Sequence, residues 1–191
     1  MNNYLNEIDN FKKHGFMFAE PLNVFIPEAE GEIMKAGEAI GKKLIKTNLI
    51  TQVAEYLSNT GGKHLLLLGS VGTGKTLLAT KIIPFIFFVK FKKVYTVYKA
   101  CDLFDNLEHA KKYPFVVVDD FGTESTAVNF GNKRDAVSEW IDSLEERTCL
   151  AIATTNQDAN QIKQKYGIRT YDRLRGLFKI IQVNEKSLRG I

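Results

Sequence analysis

Short apolar runs alternate along most of the chain with segments whose apolar residues recur every three or four positions. The short runs predict buried strands, and the helical spacing predicts amphipathic helices. The predicted strands are 64–68, 94–98, 115–119, 149–154 and 178–183, and the predicted helices are 75–90, 102–112, 135–147, 158–166 and 170–177. Strands that alternate with helices indicate a parallel sheet covered by helices on both faces, so the predicted fold class is α/β.

The amino-terminal part of the chain has a different pattern. Residues 1 to about 30 show no regular spacing, whereas residues 30–59 predict two helices that are broken near Gly41 or Asn48. In the alternating part, Pro84 lies inside the first predicted helix and should kink or shorten it, because proline lacks the N–H group that a helix interior needs. Ligands of parallel α/β sheets bind beyond the carboxyl ends of the strands, so candidate functional residues are expected there.

A glycine-rich sequence follows the first predicted strand. It reads GSVGTGKT, which is the phosphate-binding form G-x-x-x-x-G-K-[ST], and it leads directly into a predicted helix. Glycines allow the backbone N–H groups to turn toward phosphate oxygens, and the start of a helix favours an anion. Lys75 can reach the β- and γ-phosphates, and the Thr76 hydroxyl can hold Mg²⁺. The residues expected to contact the nucleotide are Gly69, Ser70, Val71, Gly72, Thr73, Gly74, Lys75, Thr76 and Leu77.

The third predicted strand ends in paired acidic residues, which is a Walker B pattern. We assign to Asp119 the role of holding Mg²⁺, partly through water, beside the triphosphate. A second acid nearby can orient and deprotonate the attacking water. Asp120 is the first candidate for that general base and Glu124 is the second, and the sequence leaves both open.

Polar and basic residues follow the next predicted strand. Thr155 or Asn156 could hydrogen-bond the γ-phosphate or the attacking water as a sensor. Arg169 and Arg173 lie in a basic helical segment, where a guanidinium can stabilise transition-state charge, in some proteins from a neighbouring subunit. Arg189, near the end of the chain, could reach the phosphates of its own subunit.

The chain also contains two matches to GTPase signatures. Asp119–Gly122 fits D-x-x-G and Asn132–Asp135 fits N-K-x-D. Only 13 positions separate Asp119 from Asn132, which leaves no room for the helix and strand that a GTPase places between these motifs. The second match is instead expected to lead into a helix, so we favour ATP over GTP as the nucleotide.

Composition places few further limits on function. The chain has 191 residues and a net charge of +4, which permits contact with a polyanion without requiring it. Cys101 and Cys149 have no metal-ligand spacing and fit a reducing compartment. The amino terminus has no secretory signal, and the most apolar stretch, 82–89, is too short to span a bilayer. We therefore expect a cytoplasmic protein without a membrane partner.

The ordered set of motifs resembles the AAA+ ATPases, and within them the DnaC/IstB group of helicase loaders and transposition helpers. The similar segments are GSVGTGKT, VVVDDFGTE, ATTN, YGIRTYDRLR and KSLRG, and they cover residues of about 49 to 191. The resemblance implies a three-layer P-loop NTPase fold of the ASCE type, with a five-stranded parallel sheet in the order 5-1-4-3-2 and an N-terminal helical segment. It divides the chain into an N-terminal segment, 1–45, a candidate for partner docking, and an ATPase domain, 46–191.

The resemblance also implies roles for single residues. Lys75 and Thr76 would contact the phosphates and Mg²⁺, and the adenine pocket would draw on residues 45–62. Asp119 and Asp120 would be the Walker B acids, Asn156 would be sensor 1, and Arg189 would be sensor 2. Arg173, with Arg169 close by, would be an arginine finger that acts on the ATP of a neighbouring subunit.

The function implied by the resemblance is ATP binding and hydrolysis with Mg²⁺ in DNA replication, as a helicase loader. Its partners would be a replicative helicase and, when ATP is bound, further copies of the same chain in a head-to-tail homo-oligomer, with DNA as an additional candidate. Two alternatives stay open. One is an IstB-like transposition helper that acts with a transposase. The other is a nucleotide-gated protein adaptor with little hydrolysis, because the linker 100–114 is too short for the DNA-contacting helical insertion of the loaders.

Overall fold

A five-stranded parallel sheet forms the centre of the protein. The structure is a computed structural model that describes residues 22–124, 127–129, 132–183 and 187. The strands are β1 (His64–Gly69), β2 (Thr96–Lys99), β3 (Phe115–Phe121), β4 (Ala127–Asn129), β5 (Asn132–Arg134), β6 (Leu150–Thr155) and β7 (Phe178–Val183). The lateral order of the sheet is β2-β3-β6-β1-β7, and every pairing in it is parallel. When only the five strands of this sheet are numbered in chain order, the order is 2-3-4-1-5, which is the predicted order 5-1-4-3-2 taken from the other edge. The predicted α/β fold class and strand order are therefore confirmed.

Helices cover both faces of the sheet. They are α1 (Ala29–Ala39), α2 (Asn48–Ser58), α3 (Lys75–Leu77), α4 (Ile83–Phe91), α5 (Leu107–Ala110), α6 (Ala136–Ser143) and α7 (Ala159–Leu177). A π-helical segment, Leu78–Ile82, joins α3 to α4, and 3-10 turns occupy Ala100–Asp102 and Leu144–Glu146. Within the described ranges, no helix is long and apolar enough to cross a membrane.

The central strands β1, β3 and β6 are mainly apolar because both of their faces are buried. In β1, Leu65 and Leu67 belong to one core cluster, whereas Leu66 and Leu68 belong to the other. The first cluster also includes residues of α1, α2 and α4, and the second includes residues of α5, α6 and α7. The two cores therefore hold the sheet rigidly in the middle of three layers.

The described part of the predicted N-terminal segment packs on the first of these cores. Ile26 and Ile33 are fully buried in it, and the Ile26 N–H donates to the Leu57 carbonyl at 3.0 Å. The Val24 N–H donates to the Thr60 hydroxyl at 2.9 Å, just before β1. The division at residue 45 stays a prediction, but residues 22–40 contribute to the same hydrophobic core as the sheet.

Several elements differ in extent from their predicted bounds. The predicted helix 102–112 is only the single turn α5 preceded by a 3-10 turn, and the antiparallel pair β4–β5 was not predicted. The predicted helices 158–166 and 170–177 are two halves of α7, which changes direction at Gly167. Asp135 caps α6 by accepting hydrogen bonds from the N–H groups of Val137 and Ser138. The N-K-x-D match that ends at Asp135 therefore leads into a helix, as predicted.

The effect of Pro84 is a local change of helix type. The helix reaches Phe91, so the expected shortening does not occur, and the π-helical segment lies directly before Ile83 and Pro84. Proline cannot donate to the carbonyl four residues earlier, and its ring crowds that carbonyl in an α-helix. The wider π turn relieves this conflict without ending the helix.

A buried histidine at the start of β1 should make stability depend on pH. His64 is 4% exposed, its Nδ1 accepts the Ala151 N–H at 3.2 Å, and burial lowers its pKa to about 4, with Arg147 and Lys63 adding to the effect. Because the unfolded chain binds the proton first as the pH falls, the stabilisation is complete above about pH 6.5 and decreases toward pH 4. We expect the loss to reach up to about 3 kcal/mol of unfolding free energy.

The measurement is urea unfolding at a series of pH values. His64→Gln is the matched control, because its amide oxygen can accept the same N–H without titrating. Subtracting the unfolding free energy of the variant from that of the wild type at each pH removes the contribution of the carboxylates, which both proteins share. If the unfolding free energies of the two proteins change in parallel between about pH 6.5 and 4, His64 does not cause the predicted loss of stability.

Candidate functional site

The carboxyl ends of β1, β3 and β6 meet at one edge of the sheet and border a cavity of about 540 Å³. These strands are neighbours in the sheet, so residues from three distant parts of the sequence come together there. Those that line the cavity are Lys43, Leu44, Ile45, Thr47, Leu49, Ile50, Val71, Gly72, Thr73, Gly74, Lys75, Thr76, Leu77, Leu78, Asp119, Asp120 and Asn156. Gly69 and Ser70 precede this lining in the loop.

The backbone of the glycine-rich loop takes conformations that other residues rarely adopt. Gly69 has φ 146°, and a Cβ there would lie 2.2 Å from the Val183 carbonyl oxygen, so the loop leaves β1 in close contact with β7. Gly74 has φ 93° directly before Lys75, where the helix begins. The loop therefore turns back over the end of β1 and presents the start of the helix to the cavity.

The Lys75 ammonium group lies at the centre of the loop. Its Nζ donates to the carbonyls of Gly69 at 2.8 Å and Ser70 at 2.7 Å, and to Asn156 Oδ1 at 3.0 Å. Burial lowers the pKa of Lys75, and the nearby carboxylates of Asp120 and Asp119 oppose that shift. The lysine links the loop after β1 to Asn156, which follows β6.

The acids at the end of β3 are held by hydroxyl groups. Asp119 Oδ1 accepts the Thr76 hydroxyl at 3.0 Å and the Thr154 hydroxyl at 2.7 Å. The Thr154 oxygen in turn accepts the Asp120 N–H at 2.8 Å. Hydroxyl and carboxylate oxygens are the ligands that Mg²⁺ prefers, and the hydrogen bond between Thr76 and Asp119 shows that these two oxygens lie side by side.

A β-bulge lets two consecutive acids line the same cavity. The register between β3 and β6 shifts by one residue between Val118 and Phe121, and Asp120 has φ 60°. Without a bulge, consecutive residues of a strand point to opposite faces. Asp120 Oδ1 accepts the Asn156 amide at 2.6 Å. Burial, followed by the charge of Asp119, raises the pKa of the Asp120 carboxyl, and Lys75 opposes the shift.

Glu124, the second candidate for the general base, is not among the residues that line the cavity. Its Oε2 accepts the Gly122 N–H at 2.7 Å, and its Oε1 accepts the Tyr166 hydroxyl and lies 3.2 Å from Lys165 Nζ. The Glu124 side chain is 13% exposed. Its carboxylate therefore points to α7, whereas that of Asp120 borders the cavity.

The predicted arginines lie elsewhere. Arg169 and Arg173 line a separate surface groove on α7, and neither borders the cavity of the same chain. The Arg173 guanidinium forms ion pairs with Asp142 and Glu145. Arg189 lies outside the described residues.

Two groups of site residues were not identified from the sequence. Lys43 and Leu44 line the cavity although they precede the range 45–62 from which the adenine pocket was expected. Thr154 is 1% exposed and holds both acids of β3, but only the residues that follow it, Thr155 and Asn156, were predicted as site residues. A threonine at the end of an otherwise apolar strand was the available signal for its role.

The cavity fits a nucleoside triphosphate in size and chemistry. A volume of about 540 Å³ lies within the range of small-molecule sites. Leu44, Ile45 and Leu49 make part of the lining apolar, as a base requires, and Lys75 and the loop backbone contribute the polar groups that phosphates require.

Comparison with known proteins shows the fold. No protein-family model matches the chain, and no curated protein matches it. Among solved structures, the DnaC helicase loader aligns at TM-score 0.60 and 20% identity over 74% of this chain and 93% of that one. DnaI aligns at TM-score 0.61 and 20% identity over 87% of this chain and 95% of that one. AMPPCP-bound DnaA from Aquifex aeolicus aligns at TM-score 0.55 and 16% identity over 76% of this chain and 50% of that one.

These likenesses confirm, for the fold, the resemblance to DnaC-like AAA+ ATPases that the motifs indicated. The strand order is the one that this resemblance implies.

The buried hydroxyl of Thr154 can be tested by an isosteric change. Thr154→Val should lower the unfolding free energy by about 1–3 kcal/mol, because the Asp120 N–H and the Asp119 carboxylate each lose a buried partner. Chemical denaturation measures the loss. Thr80→Val is the control, because the Thr80 hydroxyl only donates to the Thr76 carbonyl within its own helix. Equal stability of Thr154→Val and the wild type would contradict the role assigned to this hydroxyl.

Proposed function

We propose that the chain is an ATP-binding and ATP-hydrolysing DnaC-like AAA+ protein that acts in DNA replication as a helicase loader. The observation that carries the proposal is the convergence of Lys75, Thr76, Asp119, Asp120 and Asn156 on one cavity. This arrangement occurs on a fold shared with the DnaC helicase loader and DnaI. The likeness in fold to the DnaC helicase loader supports the loading role, and the residues of the cavity support the nucleotide chemistry.

ATP would bind with its phosphates against the loop after β1. Lys75 would turn its ammonium group from the loop carbonyls to the phosphates, and the backbone N–H groups of residues 70–76 would donate to the same oxygens. Thr76 and Asp119 would hold Mg²⁺, whose charge stabilises the developing negative charge of the transferred phosphoryl group. The base would lie against Leu44, Ile45 and Leu49, in the apolar part of the lining.

Asp120 is the better-placed general base of the two acids. It borders the cavity, and its contact with Asn156 holds its carboxylate in place. The raised pKa of Asp120 moves it toward the range in which a carboxylate accepts a proton from water more effectively. Asn156 would orient the attacking water as a sensor, whereas Glu124 is engaged by α7.

The arginines support assembly of several copies. Arg169 and Arg173 cannot act on the cavity from which they are separated, but a head-to-tail arrangement would bring Arg173 to the ATP of a neighbouring subunit. Arg189 would serve as sensor 2 in the same subunit. Residues 1–45 would include the contacts to a replicative helicase, and the protein would act in the cytoplasm.

A nucleotide-gated adaptor is the second candidate function. The observation that favours it is the short connection between β2 and β3, which holds one 3-10 turn and the four residues of α5. This connection offers little surface for single-stranded DNA. In that function the ATP-bound state would bind a protein partner, and hydrolysis would only end the contact.

The first test is ATP binding and turnover of the purified protein, alone and with single-stranded DNA, duplex DNA or a replicative helicase. Lys75→Ala should weaken ATP binding about 10- to 100-fold, because it removes a charged donor to the phosphates. Lys81→Ala, which changes an exposed lysine in the π-helical segment that follows α3, is the matched control. Unchanged affinity in Lys75→Ala would disprove the site.

The added partners distinguish the functions. Turnover stimulated by single-stranded DNA or by the helicase supports loading, and a preference for duplex DNA would point to a transposition helper instead. ATP binding that is indifferent to both DNA forms and is followed by little turnover would favour the adaptor. Salt should be varied, because contacts to DNA phosphates weaken as ionic strength rises.

The two candidate bases can be separated by isosteric amides. We expect Asp120→Asn to lower the turnover number about 10²- to 10⁴-fold with ATP binding retained, because the amide cannot accept the proton from water. Glu124→Gln should lower it less, since that carboxylate faces α7. Single-turnover hydrolysis with bound ATP is the measurement. A larger loss in Glu124→Gln than in Asp120→Asn would reverse the assignment.

A further inference from the structure

The loop that follows β3, residues 121–124, is held by the first half of α7. Lys165 Nζ donates to the carbonyls of Gly122 at 2.8 Å and Glu124 at 2.6 Å. The Gln157 amide donates to the same Gly122 carbonyl at 2.8 Å. One lysine of the helix therefore satisfies two backbone carbonyls of a loop that lies more than 40 positions earlier in the chain.

The Glu124 carboxylate completes this contact. Its Oε1 accepts the Tyr166 hydroxyl and pairs with Lys165, and its Oε2 accepts the Gly122 N–H. The Tyr166 ring also packs edge-on against Phe121, with ring centroids 5.8 Å apart. Burial, followed by the hydrogen bond to Glu124, raises the pKa of Tyr166, so its hydroxyl remains a donor. The cluster is partly buried, and its charges are paired.

The same loop fixes the backbone of Asp120. The Asp120 carbonyl accepts the Thr123 hydroxyl at 2.8 Å, and its left-handed φ of 60° requires support from its surroundings. Gly122 follows with φ 103°, and a Cβ there would lie 2.4 Å from the Gln157 side chain. The loop therefore has little freedom to move independently of α7.

The second half of α7 has different contacts. The helix changes direction at Gly167, with φ 86° and ψ 163°, directly after Tyr166. Beyond this point Thr170 Oγ1 lies 3.0 Å from Ser138 Oγ, and Arg173 pairs with Asp142, so this half packs on α6. Gly167 is thus a joint between a half that contacts the cavity loop and a half that carries the arginines.

We propose that Lys165 and Tyr166 are positioning residues that couple the acidic end of β3 to the arginine-bearing half of α7. The inference rests on the proposed function, because the displacement that it transmits begins where ATP contacts Asp120 and Asn156. A shift of the loop moves the Gly122 and Glu124 carbonyls, and the hydrogen bonds of Lys165 carry that shift to the helix. The helix then rotates about Gly167, which changes the position of Arg169 and Arg173.

The chain contains its own reporter for this motion. Trp140 is the single tryptophan, it is fully buried, and it lies on α6 between Ser138 and Asp142, which contact the second half of α7. A change at this contact should alter its fluorescence emission. The probe is ATP with Mg²⁺, or AMPPCP with Mg²⁺ where hydrolysis must be prevented.

Lys165→Met and Tyr166→Phe remove the polar contacts and keep most of the side-chain volume. Lys179→Met and Tyr113→Phe are the controls, because they make the same two changes in exposed side chains outside α7. ATP affinity is measured with a fluorescent analogue, the response with Trp140 emission, and turnover under saturating ATP. Far-ultraviolet circular dichroism checks that each variant folds.

We expect the wild type and both controls to show the Trp140 response. Lys165→Met and Tyr166→Phe should bind ATP within about threefold of the wild type, lose most of the response and turn over ATP about three- to tenfold more slowly. Retained responses in both variants would overturn the coupling, and so would a wild type that binds ATP without any Trp140 response. If the wild type fails to bind ATP, the proposed function fails first and the coupling fails with it.

Discussion

The parallel pairing of β3 with β6 is the constraint on which the candidate site depends. It aligns Val118 with Ala153, and the bulge that follows shifts the register by one residue. Because of this shift, Asp119 and Asp120 both border the cavity instead of pointing to opposite faces of the sheet. Thr154, at the end of β6, contacts both acids and thereby fixes the geometry of the bulge.

Burial and charge balance each other at this edge of the sheet. Burial alone would disfavour the charged forms of both Lys75 and Asp120, and each charge opposes that effect on the other. Asn156 lies between them and bonds to both, so the three side chains form a connected polar network. A network that is already oriented can stabilise the charge of a reacting phosphate without further rearrangement.

Helix α7 contacts the loop that follows this network and also carries Arg169 and Arg173. Its first half holds the loop after β3, and its second half packs on α6 through Thr170 and Arg173. The core beneath the helix includes Ile162, Tyr166 and Leu174, so both halves are anchored on the same face of the sheet. The loop at the end of β3 and the groove that contains Arg169 and Arg173 thus contact one structural element.

The sequence by itself determined the elements and the chemistry that lies within short segments. Apolar runs and helical spacing identified the strands and most helices, and the motif resemblance supplied the strand order. The loop before Lys75 and the acids at 119–120 could be read directly because each depends on neighbouring residues. The extents of α5 and of the β4–β5 pair were less predictable, since short elements have weak local patterns.

Only the tertiary structure decided how these segments meet. It showed that Asp120 borders the cavity and Glu124 faces α7, that Thr154 supports both acids, and that Lys43 lines the cavity. It also paired Arg173 with acids of another helix. Each of these facts joins residues that are more than 25 positions apart, so no local pattern could encode them, and the strand register and helix packing had to be known first.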